Sequence, residues 1–118
     1  MNILEGIRVL DLSRVLAGPY CTMMLADYGA DIIKIEPPGD GDDSRAFGPF
    51  VGKESAYFMS LNRNKRSITL NFKRQQEVEL FQEMVKKADV VVENYRPGTM
   101  EKFGLGYDEL KKINPRLI

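Results

Sequence analysis

Two β-branched runs flank one helix-length segment near the start of the chain, and that spacing constrains the fold more than any other feature. Ile7-Arg8-Val9-Leu10-Asp11-Leu12 reads as a short strand, and Asp31-Ile32-Ile33-Lys34-Ile35-Glu36 as a second. Between them Gly18-Pro19 breaks the pattern, and Pro19 suits the first turn of a helix, where its missing N–H costs nothing. Cys21, Met24, Leu25 and Tyr28 recur at helical spacing, and Gly29 suits a left-handed C-cap. Strand, helix and strand within about 30 residues form a βαβ unit, which demands parallel pairing and a right-handed crossover.

The remainder continues the alternation. Pro37 to Ser44 is a loop by composition, and the chain to Lys65 is irregular, with a helical turn over Ala56 to Met59. Ser67 to Asn71 alternates as a strand. Arg74 to Lys87 is a helix with Val78, Phe81, Val85 and Ala88 on its inner face. Asp89 to Glu93 is a strand whose Val90-Val91-Val92 run suits a parallel position covered on both faces. Tyr107 to Ile113 is a short helix stopped by Asn114-Pro115. Arg116-Leu117-Ile118 opens another apolar run, as expected of a truncated piece of a larger domain. The class is α/β, with residues 1–118 read as one unit.

Composition excludes several functions. Lys plus Arg equals Asp plus Glu at 17 each, so nothing in the overall charge points to a nucleic-acid partner, although it leaves room for a local basic patch. There is no histidine, so neither a His acid/base nor a His-rich metal site lies in these residues. Cys21 is the one cysteine; no internal disulfide forms, and a reducing, cytoplasmic setting fits. No apolar run approaches the ~20 residues of a membrane helix, and Met1 to Gly6 shows no signal-peptide pattern.

In parallel α/β sheets ligands sit at the carboxyl ends of the strands, so the candidate segments follow Leu12, Glu36, Asn71 and Glu93. A dinucleotide site is the obvious rival, because Glu36 stands where a ribose-binding acid would. The loop Ser13 to Pro19 lacks the G-x-G-x-x-G that admits a pyrophosphate, and no Walker A sequence is present. Asn62-Arg63-Asn64-Lys65-Arg66-Ser67 reads equally as a solvated turn or as a phosphate clamp. Asn94-Tyr95-Arg96-Pro97-Gly98 combines an amide, an aromatic face and a guanidinium at the ligand edge, which suits a nucleotide. Cys21 is expected in the core. Asp40, Asp42 and Asp43 do not complete an EF-hand and are expected in a solvated acidic loop.

Taken together, four segments in order resemble the class III CoA-transferases: Gly6 to Pro19, Leu25 to Glu36, Asn64 to Ser67, and Val92 to Gly98. The resemblance spans nearly the whole chain. It implies a Rossmann-like parallel sheet with flanking helices, here the N-terminal part of the large domain. It also implies coenzyme A as a substrate, acyl-CoA and carboxylic acid partners, no metal, and an interlocked homodimer at full length. The transferases of this family form an aspartyl-CoA thioester; the resemblance places that aspartate beyond Ile118, so no catalytic residue is assigned here and the fragment alone is expected to be inactive. CoA-binding positions fall on Leu16 and Ala17, on Leu70, Asn71, Phe72 and Lys73, on Asn94, Tyr95 and Arg96, and on Lys102. Leu16 stands where formyl-CoA transferases have glutamine, which argues against that substrate. A family arginine falls on Pro37, and Lys102 replaces another, keeping the charge without the bidentate fork. With the resemblance in hand, Asn64 to Ser67 is read as shaping the wall of the site. An acyl-CoA racemase of the same fold and a stand-alone α/β binding module are the alternatives.

Overall fold

The computed structural model describes residues 2–118. The elements run β1 (Arg8–Asp11), α1 (Ala17–Asp27), β2 (Asp31–Glu36), a 3-10 turn (Asp43–Ala46), β3 (Phe50–Val51), β4 (Glu54–Ser55), α2 (Ala56–Leu61), β5 (Lys65–Thr69), α3 (Gln75–Val85), β6 (Val90–Val92), α4 (Thr99–Lys102) and α5 (Tyr107–Ile113). Four strands form a parallel sheet in the order β5-β2-β1-β6. The chain steps outward from β1 to β2 and β5, then returns to the other side of β1 as β6. The direction of winding therefore reverses between β1 and β6, the position where parallel sheets open a crevice at their carboxyl edge.

The period-2 alternation of β1 and β2 feeds two cores. Val9 and Ile32 point to one face and pack with Ala26 and Ala30 beneath α1. Leu10, Leu12 and Ile35 point to the other and pack with Val78, Phe81 and Val85 of α3 and Leu110 of α5. The inner face of α3 is the one read from the sequence. Asn114 donates its side-chain amide to the Val85 and Ala88 carbonyls at 3.0 and 2.8 Å, which caps α3 with the residue that ends α5. Gly29 takes φ +101° after α1, and Ala30 N–H bonds back to Leu25 O, the expected left-handed cap.

Three expectations need correction. Cys21 is exposed, not in the core. Helix α1 buries Pro19, Thr22, Met23 and Ala26, and Tyr20, Met24 and the C-cap residue Tyr28 face outward; apart from Met23 the buried side chains are small, which lets the helix approach the sheet closely. The Val90-Val91-Val92 strand is parallel but half-buried at one end of the sheet, rather than covered on both sides. On its outer side Ile118 exchanges backbone hydrogen bonds with Asp89 and Val91. Strand β5 begins two residues before the position read from alternation, because Lys65 and Arg66 pair with Ile32 and Ile33 in spite of their charge. Among the described residues no helix is long and apolar enough to cross a membrane.

Candidate functional site

Loops following all four parallel strands converge on one cleft of about 300 Å³. The β1–α1 loop contributes Ser13 and Arg14, the loop after β2 contributes Pro37, Pro38 and Asp43, and the loop after β5 contributes Leu70 to Lys73. Tyr95, Arg96, Thr99 and Phe103 close it from the segment after β6. Phe72 joins floor to core, with its ring 5.3 Å from that of Phe81 and 5.6 Å from that of Phe103.

The β1–α1 loop is fixed by side chains from distant segments. Asp11, fully buried at the end of β1, accepts from Ser13 N–H and Ser13 Oγ. The Asn94 side-chain amide acts as a surrogate peptide: its Oδ1 accepts Arg14 N–H at 3.0 Å and its Nδ2 donates to Arg14 O at 2.9 Å. Asp42 Oδ1 accepts Val15 N–H at 3.1 Å. Lys34 Nζ donates to Ser13 O at 2.9 Å. Val15 is thereby held at φ +70°, a conformation that a β-branched residue adopts only under constraint. Gly18 is required where α1 turns past the loop, because a Cβ there would overlap the buried Ser13 side chain.

Two buried ion pairs lie beneath this loop. Lys34 Nζ is 2.8 Å from Asp42 Oδ2, with both side chains 1% exposed. Lys65 Nζ is 3.1 Å from Asp11 Oδ2 and also donates to Pro19 O and Asn62 Oδ1. Burial pushes the Lys65 ammonium down from its ordinary pKa, and Asp11 offsets only part of that. Burial likewise opposes ionisation of Asp42, but Lys34 and Ser44 outweigh it and lower its pKa. Asp42 is thus an internal strut, a correction to the solvated acidic loop expected from Asp40, Asp42 and Asp43; Asp40 and Asp43 are exposed. Glu36 is saturated: Arg45 grips it bidentately at 2.7 Å, and Ser67 Oγ and Asp42 N–H bond to it as well. Burial raises the Glu36 carboxyl, and those donors overcome it to bring the pKa to about 2. A carboxylate so occupied has no lone pair left for a ribose, which removes the dinucleotide rival.

Asn62 to Ser67 is not a free turn, because its side chains are engaged within the chain. Arg63 and Asn64 bind Asp27, Lys65 binds Asp11, Arg66 binds Asp31, and Ser67 binds Glu36. Of the expected CoA positions, Leu70, Asn71, Phe72, Lys73, Tyr95 and Arg96 line the cleft. Leu16, Ala17, Asn94 and Lys102 lie outside its lining: Leu16 and Ala17 start α1, Asn94 is spent on Arg14, and Lys102 is exposed at the end of α4. Tyr95 is half-buried, and burial raises its pKa. The sequence reading missed Lys34 and Asp11; a lysine inside Ile32-Ile33-Lys34-Ile35, a strand covered on both faces, was the available signal. Among the described residues no three His, Cys, Asp or Glu side chains gather as a metal site.

The family model described as CoA-transferase family III matches residues 4–118. An acetyl-CoA:oxalate CoA-transferase of Acetobacter aceti is 56% identical over 97% of this chain and 29% of its own length. A succinyl-CoA:glutarate CoA-transferase of Mus musculus is 54% identical over 100% of this chain and 27% of its own. The crystal structure of a CAIB/BAIF family protein from Brucella suis superposes with a TM-score of 0.93 at 47% identity, covering 99% of this chain and 32% of that one. The chain thus spans under a third of the length of these relatives.

Proposed function

Because this chain belongs to CoA-transferase family III, we propose that it is the CoA-holding part of an enzyme that moves coenzyme A between carboxylic acids. The carrying observation is the cleft itself. Its walls are apolar and aromatic, from Pro37, Pro38, Leu70, Phe72, Tyr95 and Phe103, and Arg14, Lys73 and Arg96 stand among its lining. Lys73 and Arg96 form no ion pair among the described residues. An adenine bordered by Tyr95 and Phe72, with phosphates toward the cations, matches that distribution of surface and charge.

In the whole protein, an aspartate outside these residues attacks the acyl-CoA thioester. The CoA thiolate leaves and a mixed anhydride forms. The thiolate then attacks the aspartyl carbonyl, releasing the first acid and leaving an aspartyl-CoA thioester, which the acceptor acid reverses by the same two steps. Covalent catalysis divides one difficult exchange into easier ones. Through both halves the CoA must stay bound while its acyl partner changes. Holding the remote nucleotide end is the role assigned here to residues 1–118, and that binding energy keeps the thiolate close to the anhydride. The full-length protein is assigned an interlocked homodimer, and the fragment alone no turnover. The Acetobacter aceti and Mus musculus relatives named above are CoA-transferases, which favours this reading over the racemase.

Calorimetry of the chain with CoA tests the proposal. Saturable binding of CoA, weakened in Phe72→Ala, is the expected result; no binding by a folded chain would refute it.

A further inference from the structure

Three cations in and beneath the cleft are already committed. Arg45 is locked on Glu36, Lys34 on Asp42 and Lys65 on Asp11, each at hydrogen-bond distance. Arg14 is different. Its main chain is clamped on both sides by Asn94, yet its side chain is 47% exposed. Its guanidinium carbon lies 5.5 Å from the Tyr95 ring centroid, at the outer range of a cation–π contact. Its acid partner is Asp43, 61% exposed, at 3.5 Å, the loosest edge of a hydrogen bond. Both residues line the cleft. A fixed backbone carrying a weakly held guanidinium is preorganised for a better anion, because little order remains to be imposed when one arrives.

We propose that Arg14 is a further ligand-binding residue, a guanidinium parked on Asp43 and Tyr95 that transfers to a phosphate of the bound nucleotide. Asp43 is then its counter-latch, competing with the ligand for the same donor. The inference rests on the CoA reading above and adds a residue and a competition to it. The nucleotide's phosphates together offer more acceptor oxygens and more charge than the exposed carboxylate they displace, so the exchange favours the ligand.

The test is calorimetric titration of the 118-residue chain and its variants with CoA, dephospho-CoA and pantetheine, with fold checked by circular dichroism. Arg14→Met should weaken CoA binding roughly tenfold or more, and Arg14→Lys should recover part of the loss. Asp43→Asn should tighten binding about two- to fivefold, the scale of an exposed ion pair removed from competition. That gain should vanish in the Arg14→Met background. If the contact is to the 3′-phosphate, the Arg14→Met effect disappears with dephospho-CoA. If it is to the pyrophosphate, the effect persists with dephospho-CoA and disappears with pantetheine; either result supports the assignment. Wild-type affinity in Arg14→Met, an equal loss with pantetheine, or an Asp43→Asn gain that survives without Arg14 overturns it and leaves the CoA site intact. Failure of the wild-type chain to bind CoA removes both readings.

Discussion

Replacing Lys34 by methionine keeps the length of the side chain and deletes its charge. The structure fixes what that leaves behind. The three other hydrogen bonds to the Asp42 carboxylate, from Val15 N–H, Ser44 N–H and Ser44 Oγ, all fall on Oδ1. Oδ2 has Lys34 alone, at 2.8 Å with both side chains 1% exposed. Ser13 O loses its donor in the same step. Breaking a buried pair by removing one member costs about 3–5 kcal/mol, because the remaining charge has no solvent to turn to. For a domain whose total stability is on the order of 5–15 kcal/mol, that is a large fraction. It corresponds to a drop in Tm of at least about 10 °C for a chain of this size. Lys34→Met/Asp42→Asn removes the stranded charge as well and should recover about 1–3 kcal/mol. Urea denaturation of the wild type, both single variants and the double variant completes the cycle. A Lys34→Met cost under about 1 kcal/mol, or a double variant no more stable than Lys34→Met, would refute the strut.

Gly18→Ala should destabilise by about 1–3 kcal/mol through overlap with Ser13, although helix propensity alone favours alanine; thermal melts that match or exceed wild type contradict it. Glu36 has a folded pKa of about 2 against an ordinary 4.5. Since the folded value is depressed, its stabilisation is present above pH 4.5 and is lost as pH falls from there toward 2. Glu36→Gln should flatten that acid limb in urea titrations at several pH values, and an unchanged limb counts against it. Tyr95→Ala should weaken CoA binding with little response to salt, whereas the losses in Lys73→Ala and Arg96→Ala should shrink as salt is added. Identical salt slopes in calorimetry would remove the division between aromatic wall and cationic rim.

What the sequence made legible was the sheet and its ligand edge. Val9, Leu10, Ile32 and Ile35 alternate between two buried faces, and a parallel sheet places its loops at one edge whatever their sequence, so the segments after the strands could be named as candidates. The charges under the site were not legible. Lys34, Asp11, Asp42 and Lys65 are residue types that usually face water, and each is buried only because a partner remote in sequence meets it. Asn94 has the same character: its composition suited a ligand contact, and only the tertiary structure shows its amide engaged with Arg14. The face of α1 was not legible either: Met24 and Tyr28 have the size and hydrophobicity of core residues, yet packing against β1 and β2 buries Pro19, Thr22, Met23 and Ala26 instead.

The two hydrogen bonds between Asn94 and Arg14 span 80 residues of sequence, and this gives the site a place in time. No local segment can assemble it. The βαβ unit of β1, α1 and β2 can form early from near neighbours, but its first loop stays unclamped until β6 arrives beside β1 and brings Asn94 with it. Contacts of that separation close late, because the intervening chain must be ordered before they return any free energy. Ligand affinity is thus a reporter of the last stage of folding: during refolding, helical signal should rise ahead of nucleotide binding, and a nascent chain should acquire the cleft only when the segment around Asn94 has been made.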